Sequence, residues 1–174
     1  MIKTWWTRLL VTVGLALLSA STVLGVTENS TVVAQISANQ KLSVDTTTID
    51  FGSIGATDFD DGYKELIEAQ TITVWSNVDW VLNVVANAAA FSYSGDYTDP
   101  GKPASDLYIR TSSSHSKVTD TIAYAPLNTT GFWIAKGGRG GNISLTVDFK
   151  LLLDYAQDLP GNYTLTITYT LSTE

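Results

Sequence analysis

From Asn142 to Leu171 the chain reads NISLTVDFKLLLDYAQDLPGNYTLTITYTL, and apolar and polar residues alternate through both halves. In the first half Ile143, Leu145, Val147, Phe149, Leu151 and Leu153 share one side, with Ser144, Thr146, Asp148 and Lys150 on the other. A period of two is that of a half-buried β-strand. Such a strand from Ile143 to Leu153 is about 35 Å long at the usual rise. In the second half Tyr163, Leu165, Ile167, Tyr169 and Leu171 repeat the pattern against Thr164, Thr166, Thr168 and Thr170. DLPG (Asp158 to Gly161) lies between them as a turn signal, so the two strands are predicted to pair antiparallel, with one dry face and one wet face. A second sheet must cover the dry face.

The same reading upstream predicts strands in GFWIAK (Gly131 to Lys136), VTDTIAYAP, DLYIR, KLSVD (Lys41 to Asp45) and TTIDFG (Thr47 to Gly52). AQTITVW and DWVLNVVA are predicted to pair through SNVD (Ser76 to Asp79), and GGRGG (Gly137 to Gly141) to form a flexible turn. The longest polar stretches run from Gly55 to Leu66 and from Ser92 to Ser105. YKELIEA (Tyr63 to Ala69) has room for a single helical turn at most. Seven to nine strands, with turn signals every 8 to 12 residues or so, predict an all-β fold: an immunoglobulin-like, jelly-roll-like antiparallel β-sandwich. An extended N-terminal strand precedes it.

That extra strand comes from STVVAQISANQ (Ser30 to Gln40), where Val32, Ala34, Ile36 and Ala38 alternate with Val33, Gln35, Ser37 and Asn39. Before it, residues 1–25 have a basic start (Lys3, Arg8), an apolar run from Leu9 to Leu18 and small residues after it, the order of a secretory signal peptide. Cleavage fits after Gly25 or after Ala34; the competing reading is an uncleaved anchor from Leu9 to Val26. The chain therefore divides into a signal peptide (1–25), an N-terminal arm (26–40) and one sandwich domain (41–174). At 174 residues it is too short for two ordinary domains.

Charge and cysteine content narrow the partners. The leader holds two of the 10 Lys and Arg, leaving 8 against 17 Asp and Glu. That balance argues against nucleic acid and anionic membrane surfaces, with membrane contact only through the leader. There is no Cys, so an exported domain here has neither disulfides nor a thiolate metal site. Four of the eight Asn (Asn29, Asn128, Asn142, Asn162) begin an N-x-Ser/Thr sequon and are candidate glycosylation sites.

Catalytic chemistry finds little support. His115 is the lone histidine and sits in the polar TSSSHSKVTD; SHSK (Ser114 to Lys117) matches S-x-x-K without the S-D-N or K-T-G that would accompany it. DFDDGYKE offers Asp58, Asp60, Asp61 and Glu65 near a Gly, but its spacing departs from a calcium loop and reads as a solvated acidic turn. No catalytic residue, metal or cofactor is expected. Trp80, in phase with Leu82 and Val84, is a core residue; Trp75 and Trp133 are either core or, exposed together, a sugar-stacking platform.

LSVDTTTIDFGSIG, ITVWSNVDWVLNVVA and PGNYTLTITYTL resemble the strand motifs of secreted sandwich subunits that polymerise by donor-strand exchange, the TasA-type biofilm fibre proteins and the archaeal bundling pili and threads. The resemblance covers most of residues 40–171. It implies an extracellular filament subunit whose donor strand lies near its N-terminus, here Val32, Ala34, Ile36 and Ala38, with a second copy of the chain as partner. DFG, WVL (Trp80 to Leu82) and YTLTITYTL also resemble the WxL cell-wall-binding domain, with Tyr169 where the distal Trp would stand. That likeness implies a cell-surface or cell-wall, carbohydrate-binding module. The arm itself has two open fates, pairing within its own subunit or adding to the edge of the next.

Overall fold

The computed structural model describes residues 31–174. The expected signal peptide and the Asn29 sequon lie outside the described residues. The folded body is Ile36–Glu174, and residues 31–35 belong to the unit before it.

Among the described residues there are eleven strands, against the seven to nine expected. They are β1 (Gln40–Val44), β2 (Tyr63–Ser76), β3 (Trp80–Ala86), β4 (Ser92–Ser94), β5 (Leu107–Ser112), β6 (Val118–Asp120), β7 (Ala125–Pro126), β8 (Phe132–Gly137), β9 (Gly140–Leu152), β10 (Asn162–Thr164) and β11 (Ile167–Thr173). All pairings are antiparallel. One sheet runs β1-β2-β9-β5-β7, the other β11-β3-β8-β6, and β10 with β4 makes a small flap. The surplus over the expected number consists of two- and three-residue pieces.

Alternation decides which side chains meet between the sheets. Ile72 and Val74 of β2, Ile109 of β5, and Ile143, Leu145 and Val147 of β9 are fully buried from one side. Trp80, Leu82 and Val84 of β3 and Ile134 of β8 meet them from the other. Trp80 is core, as expected, and its indole Nε1 donates to Gly138 O at 3.1 Å, so the ring's one polar atom is satisfied inside the sandwich. The six predicted inward residues from Ile143 to Leu153 are all buried.

The predicted pairing of the two long strands is corrected. β9 lies between β2 and β5, with Leu145 opposite Ile72 and Phe149 opposite Ile109, whereas β11 pairs with β3, with Leu171 opposite Leu82. β9 and β11 therefore belong to opposite sheets, and their dry faces point toward a shared core. A period of two fixes which face is dry but says nothing about whether the complementary strand lies beside it or across from it. The connection is also long for a hairpin: it makes a turn of its own, with Gln157 N and Asp158 N donating to Asp154 O at 3.2 and 2.9 Å. The predicted pair AQTITVW and DWVLNVVA is corrected in the same way. β2 and β3 lie in different sheets, and SNVD is a corner between them in which Ser76 Oγ donates to Val78 O at 2.6 Å.

Three local readings also change. YKELIEA is the first half of β2, and the helical turn is α1 (Ala56–Asp61), which overlaps the stretch from Asp58 to Glu65 expected to be an acidic turn. Asp58 Oδ2 accepts Gly55 N at 2.8 Å at its start, and Gly62 ends it at φ 76°, the left-handed conformation that glycine adopts without strain. TTIDFG forms no strand, yet Ile49 and Phe51 rest on the core. Asp148, predicted on a wet face, is 9% exposed. Its Oδ1 accepts Glu68 N and its Oδ2 accepts Arg110 Nε, each at 2.7 Å. Glu68, at φ 51°, sits in a bulge where the β2–β9 register shifts between Leu66 and Gln70. Asp148 supplies the acceptor that the bulged N–H lost from the ladder.

Candidate functional site

The arm ends where its partner strand runs out. β1 pairs with β2 from Val44 opposite Ile72 to Gln40 opposite Ser76, where β2 turns into the corner. Asn77 then takes over. Its N–H donates to Asn39 O at 3.2 Å, its Oδ1 accepts Asn39 N at 2.7 Å, and its Nδ2 donates to Ser37 O at 2.8 Å. One side chain thus imitates the edge of a strand for two residues and fixes the root of the arm.

Residues 31–39 carry no regular secondary structure and all are exposed. The extended strand expected here is not a strand among the described residues, where its backbone meets Asn77 at Ser37 and Asn39 and no strand ladder. Of the expected donor residues, Val32 is 91% and Ile36 84% exposed, and Ala34 and Ala38 are exposed with them. β-branched apolar side chains at such exposure gain nothing from the fold around them.

The sandwich also has an incomplete margin. β1 and β11 are edge strands of the two sheets, each paired on one side only, and they approach each other at the same margin. Ile72 and Val74 of β2 and Trp80, Leu82 and Val84 of β3, the strands next to these edges, are fully buried, but Leu42 and Val44 of β1 and Ile167, Tyr169 and Leu171 of β11 are only partly buried. Among the described residues, this β1–β11 seam combines strand edges without a further partner with partly buried apolar side chains. Tyr169 spans it: its hydroxyl donates to Gln70 Oε1 at 2.8 Å, and burial raises its pKa well above the usual phenol value.

The other candidates are dispersed. His115 Nδ1 accepts Lys117 N at 3.2 Å in a local turn. Asp58 caps α1 and Asp60 Oδ1 accepts the Tyr155 hydroxyl at 3.0 Å, so the acidic stretch is engaged in local structure. Trp75 faces outward from β2, between buried Val74 and Ser76, and Lys41 Nζ lies 4.6 Å from its ring centre. Trp133 faces outward from β8 in the other sheet, 41% exposed, with Lys136 Nζ at 5.4 Å. The two indoles lie on outer faces of different sheets and form no shared platform. Asn128, Asn142 and Asn162 are all exposed. Asn128 Oδ1 accepts Thr130 Oγ1 at 2.8 Å inside its own sequon, and Asn142 takes φ 59° at the start of β9.

Sequence reasoning missed the seam and the Asn77 clamp. Both depend on which strands are edges, and alternation does not encode strand order. No protein-family model matches the chain, and no curated protein matches it.

Proposed function

We propose that this protein is the structural subunit of an extracellular filament, polymerising by donor-strand complementation, with no catalytic activity. Val32, Ala34, Ile36 and Ala38 of one copy add to the β1–β11 seam of the next, where main-chain hydrogen bonds give affinity and alternate side chains complete the cover of the partly buried seam residues. The carrying observation is the paired deficit. Among the described residues the apolar alternating arm has no strand partner, and the sandwich has an edge whose inward residues are only partly buried. Because donor and acceptor are different surfaces, the contact is heterologous and propagates instead of closing. Asn77 supports this role by holding the root of the arm in place. The exposed sequons at Asn128, Asn142 and Asn162 suit a glycosylated surface protein.

The test is deletion of Thr31 to Asn39 from the mature chain. The expected product is a folded monomer, since the eleven strands of the sandwich remain. A synthetic peptide of the deleted segment should bind it without restoring polymers. A deletion variant that still forms wild-type filaments would overturn the reading. So would a full-length protein that stays monomeric at high concentration with its arm protected from proteolysis; a surface or wall-binding module would then be the better description.

A further inference from the structure

Lys102 is the most deeply buried cation of the described fold. It stands in the loop between β4 and β5, its side chain 3% exposed, and its Nζ meets three groups. Both carboxylate oxygens of Asp158 lie at 2.8 Å, Asp106 Oδ2 at 3.1 Å and Leu152 O at 2.8 Å. The Asp158 side chain is itself only 7% exposed. A buried ion pair of this kind costs desolvation that its mutual attraction barely returns. Here two carboxylates are gathered around one ammonium, Asp158 from the connection that follows β9 and Asp106 from the turn just before β5.

The backbone holds all the participants in place. Lys102 O accepts Phe91 N at 2.8 Å, Asp106 N donates to Pro103 O at 3.1 Å, and Asp158 N donates to Asp154 O at 2.9 Å. A further donor is aimed at the reacting carboxyl group: Asp154 N–H reaches Asp158 Oδ2 at 2.9 Å. An amine, a carboxyl carbon, a backbone N–H on one carboxyl oxygen and a second carboxylate on the amine are the parts an amide condensation requires, with the amine and the reacting carboxyl buried and the Asp106 side chain 29% exposed.

We propose that Lys102 and Asp158 condense to an intramolecular isopeptide bond, with Asp106 as proton relay. One of the three Nζ protons passes to Asp158 Oδ1, giving a neutral amine and a carboxylic acid. The amine lone pair forms the Nζ–Cγ bond, and the Cγ=Oδ2 electron pair moves onto Oδ2, where the Asp154 N–H stabilises it. Asp106 takes the second proton from Nζ and delivers it to Oδ1, which leaves as water when the Cγ=Oδ2 double bond re-forms. The third proton remains on the amide nitrogen, with Leu152 O as a ready acceptor. Two protons of the ammonium and one carboxylate oxygen depart as one water molecule, no oxidant or reductant is needed, and Asp106 ends as it began.

The bond joins positions 56 residues apart and ties the loop before β5 to the crossover between the sheets. In a chain without cysteine it supplies the covalent staple that a disulfide would give, and under tension it closes off the segment between its ends from extension. It is independent of the filament reading. Either can hold without the other.

The experiment is intact-mass spectrometry of the full mature protein under denaturing conditions, followed by peptide mapping. The expected mass is one water below that of the sequence, with one branched peptide joining Lys102 to Asp158. Lys102→Arg and Asp158→Ala should each restore the full mass, and Asp106→Ala should leave most of the chain at full mass. A wild-type protein at full mass, with the two residues recovered on separate peptides, overturns the proposal. Water loss that persists in Lys102→Arg, as from a succinimide, also overturns it. The wild-type peptide map decides the matter by itself, whether or not the variants fold.

Discussion

Tyr169 and Gln70, 99 positions apart in the chain, are joined across the sandwich by a 2.8 Å hydrogen bond from the phenol to Oε1. Gln70 belongs to one sheet and Tyr169 to the other, and Gln70 Nε2 continues the chain of contacts to Thr46 O at 2.6 Å. Among the described residues the Tyr169–Gln70 bond is one of two buried polar ties between the sheets, the other being Thr111 Oγ1 donating to Ile134 O at 2.6 Å, and it lies beside the β1–β11 seam. Gln70 is 4% exposed, so water does not readily replace a lost partner.

Tyr169→Phe should therefore destabilise the domain by about 1–3 kcal/mol, the cost of leaving a buried amide oxygen unpaired. Urea unfolding at neutral pH measures it. The alkaline limb gives a second reading. Burial raises the Tyr169 pKa in the folded state, whereas the unfolded phenol titrates near about 10. The unfolded chain then loses its proton first, so stability is undiminished below about pH 10 and falls as pH rises beyond it. Phe at this position should make that fall shallower; Tyr163, whose pKa burial also raises, supplies part of what remains.

Face assignment is tested by a pair of truncations. Phe149→Ala empties a site that is 1% exposed and should cost about 3–5 kcal/mol. Thr166→Ala, on the exposed side of the chain just before β11, should stay within about 0.5 kcal/mol. Equal melting shifts for the two would invert the assignment.

What was legible in the chain is what a period of two encodes. The pattern puts Ile143 to Leu153 and Tyr163 to Leu171 on the correct faces because burial alternates with the side chains. It does not give their neighbours, because a strand beside and a strand opposite impose the same alternation. The Lys, Glu, Leu and Ala of YKELIEA favour helix, yet pairing with β9 overrides that preference, with Leu66 opposite Phe149. Asp148 and Lys102 were illegible for a different reason. The charged counterpart of Asp148 is Arg110, 38 positions away, and that of Lys102 is Asp158, 56 away, and no local spacing announces a pairing that distant.

Asp148 offers a local test of the bulge. Asp148→Ala removes the acceptor of Glu68 N–H and the partner of Arg110, a loss of about 2 kcal/mol for hydrogen bonds to a charged group. Amide exchange should accelerate at Glu68 well before it does at Ile72, because the bulge opens while the ladder around it holds. Uniform acceleration along β2 would mean that Asp148 supports the whole strand.

The arm separates folding from assembly more sharply than any core variant can. Ile36 is 84% exposed, so Ile36→Asp removes no buried contact in the subunit, and its melting should match the wild type within about 0.5 kcal/mol. In the proposed filament the same side chain enters an apolar seam beside Leu42, Val44 and Leu171 of the next copy, where an unpaired carboxylate is strongly disfavoured. Sedimentation and negative-stain microscopy should then find folded monomers where the wild type forms polymers. Ser37→Asp alters a neighbouring arm position out of phase with the donor face and should still assemble. If both substitutions abolish polymers equally, added charge on the arm explains the loss. If Ile36→Asp polymerises normally, the donor strand is not the segment from Val32 to Ala38.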